Sequence, residues 1–173
     1  MKGTALGAAR QDMVAGTITT DANLLKNPLR EGLQAHRSPE PCAMVVFGAS
    51  GDLTERKIVP ALYYLSRERL LPPGFSIIGC ARTRFTHDQF REKMRDAVTE
   101  FLALPREESE SFIQGFGQGI FYIADNFSDP AAYGQLKGLL ERLDHERGTS
   151  GNRLFYLATR PSFFPVIIQH LGA

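Results

Sequence analysis

The stretch Met44-Val45-Val46-Phe47-Gly48-Ala49-Ser50-Gly51-Asp52-Leu53-Thr54-Glu55-Arg56-Lys57-Ile58-Val59-Pro60-Ala61-Leu62-Tyr63 decides how this chain folds. Its first four residues are a continuous run of bulky, partly β-branched side chains, the pattern of a strand covered on both faces. The run stops at Gly48, and Gly48-Ala49-Ser50-Gly51 reads as a turn from strand into helix. Glycines in such a turn allow positive φ and leave room where a Cβ would collide with a ligand. A helix opening directly afterwards points its free N–H groups and the positive end of its dipole at the gap, which suits a phosphate or pyrophosphate. A G-x-x-G turn taken alone serves equally well as a tight turn with no ligand. It fits G-x-G-x-x-G only in part, and a P-loop would need lysine where Asp52 stands.

Working outward, the spacing predicts a helix from Thr54 to Leu70 with Ile58, Ala61, Leu62, Leu65 and Arg69 near one face. Pro60 lies inside it and predicts a kink, because proline removes a helical hydrogen bond. Pro72-Pro73-Gly74 ends the helix, and Phe75 to Ala81 reads as a second buried strand. Strand, helix and strand make one βαβ unit with a right-handed crossover. Arg82 follows that second strand directly, and no Asp or Glu occurs between Gly74 and Thr86. In folds of this type a carboxylate at this strand end bonds the ribose 2′-hydroxyl of NAD, whereas an arginine suits a 2′-phosphate. Arg82-Thr83-Arg84 supplies two guanidinium groups and a hydroxyl there, so the residues favour NADP, a solvated basic loop being the alternative.

A capping box, Thr86-x-x-Gln89, opens the next helix, with Phe90, Met94, Ala97, Val98 and Phe101 on its buried stripe. Pro105 to about Gly115 begins another helix, and Ile120 to Ala124 reads as a third strand. Asp125 and Asn126 stand at its carboxyl end, the edge where doubly wound sheets bind ligands; they are candidate cofactor contacts, with a cap or turn role as the alternative. Asp129-Pro130 caps a helix whose apolar face is Tyr133, Leu136, Leu139, Leu140 and Leu143. Arg153 to Ala158 is a fourth strand, and Ser162 is placed to cap the helix after it. The alternation predicts an α/β fold, a doubly wound parallel sheet that is Rossmann-like and incomplete at its C-terminal end. Residues 1–40 carry no sustained period and read as a poorly ordered tail, which leaves 41–173 as the nucleotide-binding domain.

The string Gly48-Ala49-Ser50-Gly51-Asp52-Leu53-x-x-Arg56-Lys57-x-x-Pro60-Ala61-Leu62-Tyr63 closely resembles the coenzyme loop of the glucose-6-phosphate dehydrogenase family, G-A-S/T-G-D-L-x-x-[RK]-K-x-x-P-[AS]-[LI]-[YW]. A second match lies in the correct order: Leu154-Phe155-Tyr156-Leu157-Ala158-x-x-Pro161-x-x-Phe164 resembles L-F-Y-L-[AS]-x-x-P-x-x-[FY], with Arg160 replacing the proline or alanine common there. Cys80-Ala81-Arg82 looks like the family's Y/T-A-R, whose arginine contacts the NADP 2′-phosphate. The resemblance implies cofactor contacts from Gly48, Ala49, Ser50, Gly51, Asp52, Leu53, Thr54 and Arg82. Full-length members oxidise glucose 6-phosphate to 6-phosphoglucono-δ-lactone, the entry reaction of the oxidative pentose phosphate pathway, by hydride transfer to NADP, and are homo-oligomers. Their catalytic R-[IV]-D-H-[YF]-L-G-K-E and their E-K-P-F-G stretch are missing here. Arg142-Leu143-Asp144-His145 imitates the former but continues Glu146-Arg147-Gly148, and reads as a solvated helix end. The chain is therefore expected to be the N-terminal coenzyme-binding part of such an enzyme, from a truncated gene, with no catalytic residues of its own.

Composition adds limits rather than direction. A formal charge of +1 over 173 residues gives no reason to expect nucleic acid or an anionic membrane as partner. Two cysteines, Cys42 and Cys80, suggest reduced core thiols rather than a disulfide scaffold or metal site. With no membrane span and no export signal at the N-terminus, a cytoplasmic protein is expected. Two alternatives stay in view. One is a non-catalytic NADP(H)-binding or interaction module; the other, a short-chain reductase, requires a Tyr-x-x-x-Lys pair and a T-G-x-x-x-G-x-G loop, the latter of which the sequence lacks.

Overall fold

The four apolar runs become the four parallel strands of one sheet, in the order β3-β2-β1-β4. The computed structural model describes residues 39–172 apart from Asp125. Of the expected tail only residues 39 and 40 fall among them, exposed and outside any element. Strand β1 (Ala43–Phe47) leads through a π-type turn (Thr54–Ile58) into α1 (Val59–Arg67), then β2 (Ser76–Ala81). Next come α2 (His87–Leu102), α3 (Arg106–Gln114), β3 (Ile120–Ala124), α4 (Pro130–Arg147), β4 (Arg153–Leu157) and α5 (Phe164–Leu171).

Register decides which side chain covers which face. Val45 lies opposite Ile78 and Phe155, and Phe47 opposite Cys80 and Leu157. Because side chains alternate along a strand, Met44, Val46, Ile77, Ile120 and Tyr122 point into a core shared with Val59, Tyr63, Phe90, Met94, Val98 and Phe112, which α1, α2 and α3 supply. Ala43, Val45, Phe47, Ile78 and Cys80 point the other way, onto Leu136, Leu139, Leu140 and Leu143 of α4 and Ile167 of α5. Two-sided burial explains the unbroken apolar runs of β1, β2 and β3, each large buried side chain contributing about 1.5–3 kcal/mol. The sheet is doubly wound, as predicted.

Several local expectations need correction. Ala61 and Arg69 are exposed, and Val59, Pro60 and Tyr63 carry the buried face of α1 instead. A π-type turn accommodates more residues than an α turn, so the stripe behind it is displaced from simple 3.6 periodicity. The disturbance expected from Pro60 takes the form of that wide turn, which leaves the proline in the first turn of α1 where its missing N–H is tolerated. The Thr86 capping box is complete, its amide and hydroxyl both bonded to Gln89, and Asp129 caps α4 through the Ala131 amide. Phe101, by contrast, is exposed and lies under the Arg56 guanidinium, and Ser162 caps nothing: it sits in a 3₁₀ turn (Pro161–Phe163).

The two sheet edges differ. On β3, α2 side chains satisfy the outward backbone: Arg91 Nε donates to the Ile120 carbonyl at 2.8 Å, and His87 Nδ1 accepts from the Tyr122 amide at 3.0 Å. On β4 the outer edge has no partner strand among the described residues, and Leu154, Phe155 and Tyr156 are exposed.

Asp144 is no solvated helix end, although its neighbour His145 is exposed. Its carboxylate accepts from the Thr149 hydroxyl (2.6 Å), the Gly151 amide (2.8 Å) and Arg153 Nη2 (2.9 Å), which fastens the α4–β4 turn. The Thr149 hydroxyl first, then the Gly151 amide and Arg153, hold the carboxyl down at about 2. A carboxyl depressed by folding stabilises the fold above its unfolded value, and that stabilisation is lost as pH falls through its folded value. Asp144→Asn is therefore expected to lower stability at pH 7 and to flatten the loss of stability between about pH 4 and pH 2. Urea titrations across that range check it; parallel acid limbs for the two proteins would contradict the assignment.

Candidate functional site

Gly48 takes φ +89°, a conformation that side chains with a Cβ rarely adopt. Its amide donates to the Cys80 carbonyl at 2.8 Å, and the Ala49 amide shares the same acceptor at 3.2 Å. A Cβ on Gly48 would stand 2.2 Å from the Ala158 carbonyl oxygen, so the tight approach that demands glycine here is made by the chain leaving β4. Gly51 keeps no positive φ; its amide closes the turn onto the Gly48 carbonyl at 3.0 Å. The amides of Gly48, Ala49 and Gly51 are thus occupied within the protein. What the turn leaves open is the first turn of the following helix, whose N–H groups have no acceptor inside it.

The carboxyl ends of the strands enclose an open cleft of about 830 Å³ lined by Gly48, Ser50 and Gly51 from the β1 turn, Ala81, Arg82 and Thr83 from β2, and Ala158, Thr159 and Arg160 from β4. Phe127 and Phe163 complete its wall. It carries two guanidinium groups and no carboxylate among those residues, and neither Arg82 nor Arg160 forms an ion pair with a described residue. Thr83 Oγ1 donates to Ser50 Oγ at 3.1 Å, joining the β1 and β2 turns beside Arg82. Arg84 departs from its neighbour: it lines a separate groove with Glu55, Gln89, Glu92, Lys93 and Asp96.

The sequence-predicted residues therefore fall into groups. Gly48, Ser50, Gly51 and Arg82 meet at the cleft. Ala49 and Thr54 are fully buried beneath the loop, and the Thr54 hydroxyl has no partner among the described residues. Asp52 is exposed and 3.5 Å from Arg56, one helical turn on, while Leu53 is exposed at the helix start. Asn126 caps the next turn, its side-chain oxygen accepting from the Ser128 amide at 3.3 Å; Asp125 lies outside the described residues.

Thr159, Arg160 and Tyr122 are not among the sequence-predicted contacts. Applying the strand-end rule to β4 as well as β2 finds the first two. A Tyr-x-x-x-Lys spacing, the short-chain reductase signature, does occur at Tyr133 and Lys137, but the Tyr133 hydroxyl donates to the Phe127 carbonyl at 2.8 Å and its ring stacks on His170. It is not among the residues that line the cleft. Cys42 and Cys80 are both unpaired thiols, and burial pushes Cys80 up to about 12. Among the described residues no His, Cys, Asp and Glu cluster could hold a metal, and no helix is long and apolar enough to cross a membrane.

A sequence model of the family described as "Glucose-6-phosphate dehydrogenase, NAD binding domain" matches residues 45–173. The chain belongs to that family. Glucose-6-phosphate 1-dehydrogenase of Chlamydia muridarum is 46% identical over 135 residues, which are 76% of this chain and 26% of the relative. The enzyme named glucose-6-phosphate 1-dehydrogenase 2 in Mycobacterium bovis is 39% identical over 148 residues, 84% of this chain and 28% of that one. Among solved structures, a glucose-6-phosphate dehydrogenase in complex with its substrate glucose 6-phosphate superposes with TM-score 0.67 at 34% identity, covering 78% of this chain and 28% of that chain. The chain therefore spans about a quarter of the length of the curated relatives it matches. The family and the cleft together support a nicotinamide dinucleotide as ligand.

Gly48→Ala tests the constraint on which the loop rests. The strained φ and the collision with Ala158 are expected to cost roughly 2 kcal/mol or more of stability. Urea unfolding reads the loss, and a variant as stable as the parent would contradict the geometry.

Proposed function

We propose that this chain is the coenzyme-binding part of an NADP-dependent glucose-6-phosphate dehydrogenase, seating the adenosine half and pyrophosphate of NADP at the cleft above β1 and β2. The observation that carries the reading is Arg82, which is exposed on the cleft, without a carboxylate partner, beside the Ser50–Thr83 hydroxyl pair. A 2′-phosphate needs N–H and O–H donors and no nearby carboxylate, and these three side chains supply that set. The start of the helix after Gly51 offers amides and a positive dipole end to the pyrophosphate, with Arg160 adding charge on the opposite wall. Ala49, Asp52, Leu53 and Thr54 contribute by shaping that helix start. Two unpaired thiols fit a cytoplasmic setting.

A bound nicotinamide coenzyme would supply the hydride acceptor, and the protein's share would be to orient it against the sugar and remove a proton. This chain holds the coenzyme end of that arrangement. Asp144, which the R-L-D-H string offers as part of a base, is committed to Thr149, Gly151 and Arg153. The 173-residue chain is therefore expected to give no turnover with glucose 6-phosphate and NADP in a spectrophotometric assay at 340 nm; measurable NADPH formation would overturn the assignment of catalysis to other segments.

Binding tests the coenzyme assignment directly. Arg82→Ala is expected to weaken NADPH by about tenfold or more while leaving NADH little changed, because only NADPH loses a charge-assisted contact. Nucleotide fluorescence titrations of the two proteins measure both. Equal losses for NADPH and NADH would remove the 2′-phosphate contact from Arg82.

A further inference from the structure

We infer that Tyr122 is a positioning residue for the 2′-phosphate grip: it fixes the connection from β2 to α2 directly after Arg82, at Thr83, and again at His87, and so sets NADP over NAD without touching the nucleotide. The inference rests on the reading of Arg82 given above and adds a residue from a different strand.

Tyr122 is the third residue of β3, opposite Gly79 of β2. With no side chain at Gly79, the ring of Phe90 comes close over the β2 backbone, where an added Cβ would stand 2.8 Å from it. The Tyr122 ring packs beside Phe90 at 4.5 Å and edge-on to Phe85 at 5.5 Å, and the residue is 4% exposed. From this fixed ring the hydroxyl reaches past the end of β2 and donates to the Thr83 carbonyl at 2.7 Å. The same residue's amide donates to His87 Nδ1 at 3.0 Å, at the first residue of α2. One residue of β3 therefore holds the segment near its start and at its end. Arg82 lies between the end of β2 at Ala81 and the held carbonyl of Thr83, whose hydroxyl goes on to Ser50.

The chain of contacts runs from Tyr122 to Thr83 to Ser50, linking β3 to the β2 and β1 turns. It places a carbonyl anchor one residue from a guanidinium that no described side chain holds. An arginine on an unanchored loop would lose more freedom on binding than one on a fixed loop, and that loss reduces affinity. Only a ligand that engages Arg82 is sensitive to the difference. Burial also raises the Tyr122 phenol to about 12, partly opposed by the Ser50 hydroxyl, so the group remains a donor across the ordinary pH range.

Tyr122→Phe removes the hydroxyl and keeps the ring in the core. Loss of one buried hydrogen bond predicts that NADPH binding weakens about fivefold while NADH changes less than twofold. In the nucleotide-free chain, hydrogen exchange of the amides from Thr83 to Phe85 is expected to accelerate, with exchange in β1 and β2 unchanged. Phe85→Leu, which removes the ring packed edge-on to Tyr122 and lies outside the cleft lining, is expected to shift the NADPH preference in the same direction. If Arg82→Ala collapses the preference but Tyr122→Phe and Phe85→Leu leave it intact, Tyr122 has no positioning role and the coenzyme reading survives. If Arg82→Ala itself leaves the preference intact, the reading and this inference both fall. Should Tyr122→Phe weaken NADPH and NADH equally, or fail to fold while Phe85→Leu keeps the parent preference, its role is structural only.

Discussion

Everything in this fold that concerns a ligand depends on the left-handed backbone at Gly48. That residue ends β1, donates to the carbonyl of Cys80 at the end of β2, and lies so close to Ala158 after β4 that no side chain fits. Next to it the Ala158 amide donates to the Phe47 carbonyl at 2.8 Å. Three strand ends are thereby drawn to one point, and the cleft exists because the chain must leave that point in three directions. The glycine serves the protein's own packing first. The open cleft beside it follows from where the chain is then sent.

From that junction the two sides of the sheet take on different tasks. On the face of α1, α2 and α3, aromatic packing around Phe90, Phe85 and Tyr122 fixes the segment that carries Arg82. On the face of α4 and α5, leucines seal the sheet and the Asp144 cluster fastens the turn into β4. The charge distribution at the carboxyl edge is equally one-sided. Arg82, Arg160 and three hydroxyl groups, those of Ser50, Thr83 and Thr159, line the cleft, whereas the carboxylates Glu55, Glu92 and Asp96 lie in the neighbouring groove with Arg84. A ligand with several phosphates meets donors without meeting repulsion.

How much of this could be read in advance follows the range of the interactions. Strands β1, β2 and β3 were legible because burial on both faces writes an unbroken apolar run, and the caps at Thr86 and Asp129 were legible because capping is settled within four residues. The stripe of α1 was misread because a π-type turn breaks the period on which that reading depends. Asp144 looked like a solvated helix end since its partners, Thr149, Gly151 and Arg153, come around it only when the chain turns back. Arg82 and Arg84 looked like a pair because the sequence does not say that they face different grooves. Tyr122 looked like one more apolar strand residue. Its hydroxyl acquires a purpose only from the β2–β3 register, which no local pattern encodes.

The central claim is that the Gly48 turn and the Arg82 segment form one nucleotide seat. Titrating the isotopically labelled chain with NADPH while following backbone amide resonances tests it most directly. The account predicts that the largest shifts fall on Ser50 to Thr54 and on Arg82 to Arg84, with those at Arg82 and Thr83 much reduced when NADH replaces NADPH. Shifts centred elsewhere, with both segments silent at saturating NADPH, would contradict it.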